Sequence, residues 1–88
     1  MKTHRIKIWP SHYEAVLSGE KRAELRRNDR DYAVGDELRL CEFDPGYKYR
    51  GRLTGREHRV RVTHVIHGST EGLDPYFVVL SIAEAGDE

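Results

Sequence analysis

The hydrophobic positions change period along the chain, and the changes mark its elements. From Thr3 to Trp9, Ile6 and Ile8 alternate with Arg5 and Lys7, the period-two pattern of a half-buried strand. Pro10 ends it. Ser11-His12-Tyr13-Glu14 then fits a capping box, in which the serine oxygen bonds the backbone three residues on and the glutamate reaches back. Tyr13, Val16 and Leu17 share one face of the short helix this predicts, and Gly19 suits the left-handed position beyond its end. A helix so short is marginal alone and must be held by packing.

Alternation returns at 22–27, where Ala23 and Leu25 are expected to face one way and Glu24 and Arg26 to point out on the other. Two opposite charges on the core side would need desolvation, so the Glu24/Arg26 face is not expected to be the apolar one. Asn28-Asp29-Arg30-Asp31 reads as a turn or loop. Val34-Gly35-Asp36 reads as a tight turn before a strand with Leu38 and Leu40 inward, which Asp44-Pro45-Gly46 closes. Residues 46–55 are polar, basic and aromatic with three glycines, and predict a mobile hairpin tip or loop. Residues 57–66 form a strand with Val60 and Val62 on one face, and 67–75 a loop. Tyr76 to Ile82 is apolar on both faces and predicts a buried central strand. The acidic tail after Ala83 is expected to fray. One helix and about five short strands give a single α+β domain over residues 1–88, a small curled sheet or β-barrel.

Composition narrows this picture. An 88-residue chain holds one small core, since a domain of this size buries only about 60% of its unfolded surface. No apolar run approaches the ~20 residues of a bilayer-spanning helix, so no membrane partner is expected. MKTHRIKIWP has no apolar stretch of the signal-peptide kind, and the single Cys41 excludes an internal disulfide framework. Both point to a reducing, cytoplasmic setting. Net charge is zero, yet residues 1–30 and 45–70 are predominantly basic while 31–44 and 71–88 are predominantly acidic. A zero sum can therefore hide a basic face backed by an acidic one, and a basic face attracts phosphates.

The stretch richest in chemistry is Gly19-Glu20-Lys21-Arg22-Ala23-Glu24-Leu25-Arg26, running from the helix end into a strand. Lys21 is near enough in sequence to approach Glu24, and Arg26 shares a strand face with it. An ammonium, a carboxylate and a guanidinium converging at the mouth of a sheet can hold a phosphate or carboxylate through the cations, while the carboxylate accepts from a base amine or orients a proton transfer. The plain alternative is a surface salt-bridge cluster worth ~0–1 kcal/mol per pair.

GEKRAELR matches the G-x-K-x-x-E-x-R motif of ASCH domains in the PUA-like superfamily. The short helix before it, the N-D-x-D-Y-x-V-G-D-x-L segment at residues 28–38 and the terminal F-V-V-L-S-I at 77–82 follow in the same order, so the chain resembles that family over nearly its whole length, and a small bacterial and phage branch in particular. The resemblance implies a PUA-like β-barrel with a cleft lined by the motif, and an association with RNA and modified nucleotides. Some ASCH proteins are amidohydrolases that remove an acetyl group from the exocyclic amine of cytidine, using the motif lysine with a threonine and a distal glutamate; a few are described as ribonucleases. Lys21 stands at the lysine position. Glu24 stands where the threonine would be, and the loop 67–75 offers only Glu71 or Asp74 for the distal glutamate. The hydrolytic alternative here is therefore Lys21 stabilising negative charge while Glu24 activates water.

A second constellation is Tyr47-Lys48-Tyr49-Arg50-Gly51-Arg52, followed by Arg56, Arg59 and Arg61. Tyrosines stack on unpaired bases at about 1–3 kcal/mol each and arginines pair with phosphates. The alternative is a solvated hairpin whose tyrosines cover the sheet edge, or one that docks a protein partner. Trp9 is expected to pack beside the helix start rather than to wall the cleft near Lys21 and stack on a base. Ser11 is read as a cap and Cys41 as an inert thiol on a strand. His64 and His67 fall on opposite strand faces and make poor joint ligands, and no dinucleotide or P-loop fingerprint is present, so neither metal nor cofactor is expected. The expected function is RNA or nucleotide binding. Lys21, Glu24 and Arg26 line the pocket; Tyr47, Lys48, Tyr49, Arg50 and Arg52 grip the strand.

Overall fold

Seven side chains with under 2% exposure mark the centre of the molecule: Ile6, Leu38, Leu40, Val60, Val62, Val78 and Leu80. All come from strands whose inward positions alternate, and each fully buried one contributes roughly 1.5–3 kcal/mol. The computed structural model describes residues 1–86 and, at Tyr49, the main chain alone. Its strands are β1 (Thr3–Ile8), β2 (Ala23–Arg27), β3 (Glu37–Asp44), β4 (Arg52–His67) and β5 (Phe77–Glu84). One helix, α1 (Pro10–Ser18), lies between β1 and β2, and a single 3-10 turn (Tyr47–Tyr49) caps the β3–β4 hairpin. The five strands form one sheet in the order β1-β3-β4-β5-β2. β1 runs parallel to β3, and the other neighbours are antiparallel. Among the described residues no helix is long and apolar enough to cross a membrane.

The sheet curls until its two outer strands face each other, but among the described residues no main-chain ladder joins them. Side chains span the seam instead. Arg26 Nη1 donates to the Lys7 carbonyl at 3.1 Å, and Arg30 Nη1 donates to the Arg5 carbonyl at 2.6 Å. The barrel expected from the sequence is thus a curled five-stranded sheet closed by two arginines.

Several boundaries and faces differ from expectation. The helix opens on Pro10, whose fixed φ and missing N–H suit the first helical position, so Trp9 is the flanking residue and Ser11 caps nothing. Gly19 ends it at φ 85°, with its N–H bonded to the Val16 carbonyl. Tyr13 and Val16 reach the core, but Leu17 is exposed: nine residues on one sheet present a single narrow stripe. β4 begins at Arg52, so the loop expected over 46–55 shrinks to a defined turn. Within it Gly51 adopts φ +73°, and a Cβ there would meet the Phe43 ring and the Asp44 carbonyl at 2.8 Å. β5 is flanked by β4 and β2, yet only Val78, Leu80 and Ile82 are buried, and Tyr76 is exposed. It extends to Glu84, past the point where fraying was expected; residues 87–88 lie outside the described ones.

The largest reversal is in β2, where Glu24 is buried and Leu25 exposed. Glu24 sits opposite Leu80 and Arg26 opposite Val78, both core residues, so register puts the charged pair inside and Ala23 and Leu25 outside. Pairing with two cations removes the desolvation objection.

The charge segments do not separate into faces either. Acidic β3 lies beside basic β4, and Glu37 meets Arg59 at 3.4 Å and Arg39 at 3.5 Å. Arg5 meets Glu57 of β4 at 2.9 Å.

A buried polar staple fixes the loop 28–36. Asp36 accepts from the main-chain N–H groups of Lys2 and Ala33, each at 3.0 Å, and bonds His4 Nε2 at 2.8 Å. Burial raises the Asp36 pKa, but the bonds from His4, Lys2 and Ala33 outweigh it and hold the carboxyl below its ordinary range. Tyr32, carried by the same loop, stacks obliquely on His4 at 4.7 Å and joins the core.

Candidate nucleic-acid interface

The seam between β1 and β2 opens into a cleft of about 420 Å³. Its walls are Lys7, Ile8 and Trp9 on one side and Glu24, Leu25 and Arg26 on the other, with His12 and Lys21 across the top. The three residues singled out in the motif meet here. Lys21 Nζ donates to Glu24 Oε1 and to the Ala23 carbonyl, the latter at 2.7 Å. Arg26 Nη1 donates to Glu24 Oε2 at 3.1 Å. The trio carries one net positive charge, and the cations are more open than the acid: side-chain exposure is 22% for Lys21, 27% for Arg26 and 7% for Glu24. Arg26 also reaches Tyr32, a core residue of the loop 28–36. Burial raises its phenol pKa, while the nearby Arg26 and Arg30 guanidiniums pull it back.

Trp9 is the correction that matters most for function. Expected in the core, it is 58% exposed and walls the cleft. Its main chain is extended, with φ −70° and ψ 153°, because Pro10 takes the first helical position and leaves the preceding residue outside the helix. That proline is the sequence signal that Trp9 stands outside the helix. Lys7, His12 and Leu25 were also missed as cleft residues; Leu25 was assigned inward, and it is 59% exposed at the rim.

The hairpin residues do not join the cleft. The Tyr47 ring is covered by its own neighbours, with the Arg52 guanidinium 4.4 Å and the Lys48 ammonium 5.4 Å from its centroid. Arg50 is exposed, and its N–H closes the 3-10 turn on the Tyr47 carbonyl. The Tyr49 side chain lies outside the described residues. Further along, Arg56 is held by Glu14 at 2.8 Å and lies over the Tyr13 ring, and Arg59 is held by Glu37. The basic run is therefore split between a turn and two structural pairs. The regions are linked through Lys7, whose ammonium lies 4.7 Å over Phe43, the ring on which Gly51 packs. Glu71 and Asp74 line no part of the cleft, and Asp74 instead accepts from the Tyr76 N–H at 2.8 Å. Cys41 is buried beside a bulge in β3.

Residues 3–82 match the family described as Domain of unknown function (DUF3850). The chain belongs to this family. A DUF3850 domain of this kind is also similar to the uncharacterized 12.9 kDa protein in the GpA 3′ region of Escherichia phage P2, with 41% identity over 64 residues. That match covers 73% of this chain and 54% of the phage protein, so the chain spans about half the length of the curated relative it matches.

Proposed function

We propose that this domain binds RNA or a nucleotide, seating a base and a phosphate in the β1–β2 cleft. The observation that carries the reading is the exposed Trp9 indole beside the Lys21–Glu24–Arg26 trio: a stacking surface next to a net positive charge, in a cavity within the usual ligand range of about 300–1,000 Å³. The ASCH-like motif supports it, because its lysine, glutamate and arginine are the three that converge. The five-stranded curled sheet with a helix after β1 is consistent with a PUA-like barrel. A buried, unpaired Cys41 suits a reducing cytoplasm. Both Glu24 oxygens already accept from cations, which favours binding over a general-base hydrolysis that needs a carboxylate aimed at water.

Filter binding with a short single-stranded RNA at about 50 and about 200 mM salt tests the reading. Each phosphate neutralised along a single strand adds about −0.7 to the slope of log affinity against log salt, so three such contacts give about −2. Lys21→Ala weakens binding roughly tenfold. No binding at the lower salt, or binding indifferent to Lys21→Ala, overturns it.

A further inference from the structure

The cleft is rich in donors, and the acceptors nearest its cations are already engaged. Of the three ammonium hydrogens of Lys21, two go to the Ala23 carbonyl and Glu24, leaving one for a guest. Arg26 uses Nη1 for the Lys7 carbonyl and Glu24, leaving the hydrogens of Nη2 and Nε, one of which the Tyr32 phenol can take. Two carbonyls at the seam, those of Lys7 and Ala23, are thus capped by the same cations that cap the carboxylate. Glu24 keeps spare lone pairs, but at 7% exposure they lie beneath the cations rather than in front of them. His12 at the rim can donate or accept, so it does not bias the choice. The Leu25 main chain, on the free edge of β2, offers one group of each kind.

We propose that the cleft selects keto bases, guanine and uracil, over amino bases, adenine and cytosine. This rests on the nucleotide reading above. A keto base presents a carbonyl oxygen where its amino counterpart presents an N–H₂ group. Held flat between Trp9 and the Leu25 side chain, the carbonyl meets the free Lys21 and Arg26 hydrogens. An amine there sets donor against donor and leaves the spare hydrogens of both cations without an acceptor after desolvation. Such mismatches cost about 1–3 kcal/mol, so the expected preference is roughly tenfold or more. Glu24, expected from the sequence to accept from a base amine, lies buried beneath the two cations, and the proposal gives the base contact to them instead.

Trp9 is the single tryptophan of the chain, so its fluorescence reports directly on the cleft. Titration with the four ribonucleoside 5′-monophosphates compares GMP with AMP and UMP with CMP, pairs that share a phosphate and a ring size. The expected result is tighter binding of the keto member in both pairs by roughly tenfold. Equal affinities, or tighter binding of the amino members, overturn the selectivity and leave the nucleotide reading standing. Silence with all four, together with no retention of RNA, overturns both. Arg26→Ala removes donors and uncovers Glu24, and should shrink the preference to within about threefold. An unchanged preference in the folded variant overturns the assignment. If that variant does not fold, Lys21→Met, which keeps the aliphatic stem, is read in the same way.

Discussion

Trp9 and Tyr47 are both aromatic, both near cations and both outside the core, yet the fold treats them in opposite ways. Tyr47 has its cations one and five residues away, and they fold back onto its ring. Each such contact contributes about 0.5–1 kcal/mol at an exposed site, enough to occupy the face a base would need. Trp9 draws its cations from elsewhere, Lys21 beyond the helix and Arg26 on β2, and they bond Glu24 rather than the indole. A space is left between ring and charge. Interleaving of aromatic and basic residues along a chain is therefore a poor guide to a binding surface, since neighbours in sequence satisfy one another. Groups brought from separate elements leave room for a guest.

Each region also has its own support, and breaking the supports separates them. The largest effect is expected at Asp36. Asp36→Ala leaves the His4 ring and two main-chain N–H groups without their acceptor, and should cost about 3 kcal/mol of stability by denaturant titration. Amide exchange should rise through residues 28–36 and not at the hairpin turn. Acid acts in the same direction. Because the folded-state pKa of Asp36 lies below its unfolded value, its contribution is full above about pH 4 and drains away as pH falls further. Asp36→Asn should flatten that acid limb, and an undiminished one would assign it to other carboxylates.

Next comes the hairpin. Gly51→Ala forces a Cβ against Phe43 and the Asp44 carbonyl at a left-handed φ, and should cost about 2 kcal/mol in thermal or denaturant unfolding. RNA affinity measured below the melting transition should hardly move. A parallel loss of affinity would mean that the turn belongs to the binding surface after all. The smallest effect is the direct contrast: Trp9→Ala should weaken RNA binding roughly tenfold, and Tyr47→Ala less than threefold, by the same filter assay. Equal losses would erase the distinction.

Much of the architecture was legible in the chain. The alternation of Ile6 with Ile8, Leu38 with Leu40 and Val60 with Val62 placed three strands and their buried faces correctly. The convergence of Lys21, Glu24 and Arg26 followed from their spacing. The inward face of β2 was not legible, because local alternation weighs Ala23 and Leu25 as the apolar side, while pairing with Leu80 and Val78 decides the matter from across the sheet. The separation of charge into faces failed for a related reason. Sequence blocks are one-dimensional, and an antiparallel neighbour lays Glu37 of one block against Arg59 of another. The exposure of Trp9 was not legible either, because Pro10 sets only where the helix starts, while the cleft the indole walls is completed by β2 from further along the chain.

The arginine straps across the seam have one more consequence. Strand margins with unclaimed amides and carbonyls invite annexation by a second polypeptide, the first step of edge-to-edge aggregation. With Arg26 and Arg30 lying over the carbonyls of Lys7 and Arg5, that docking rail is obstructed. The same residues that shape the opening thus shield the fold from self-templating, and shortening either one trades colloidal safety for a wider gap.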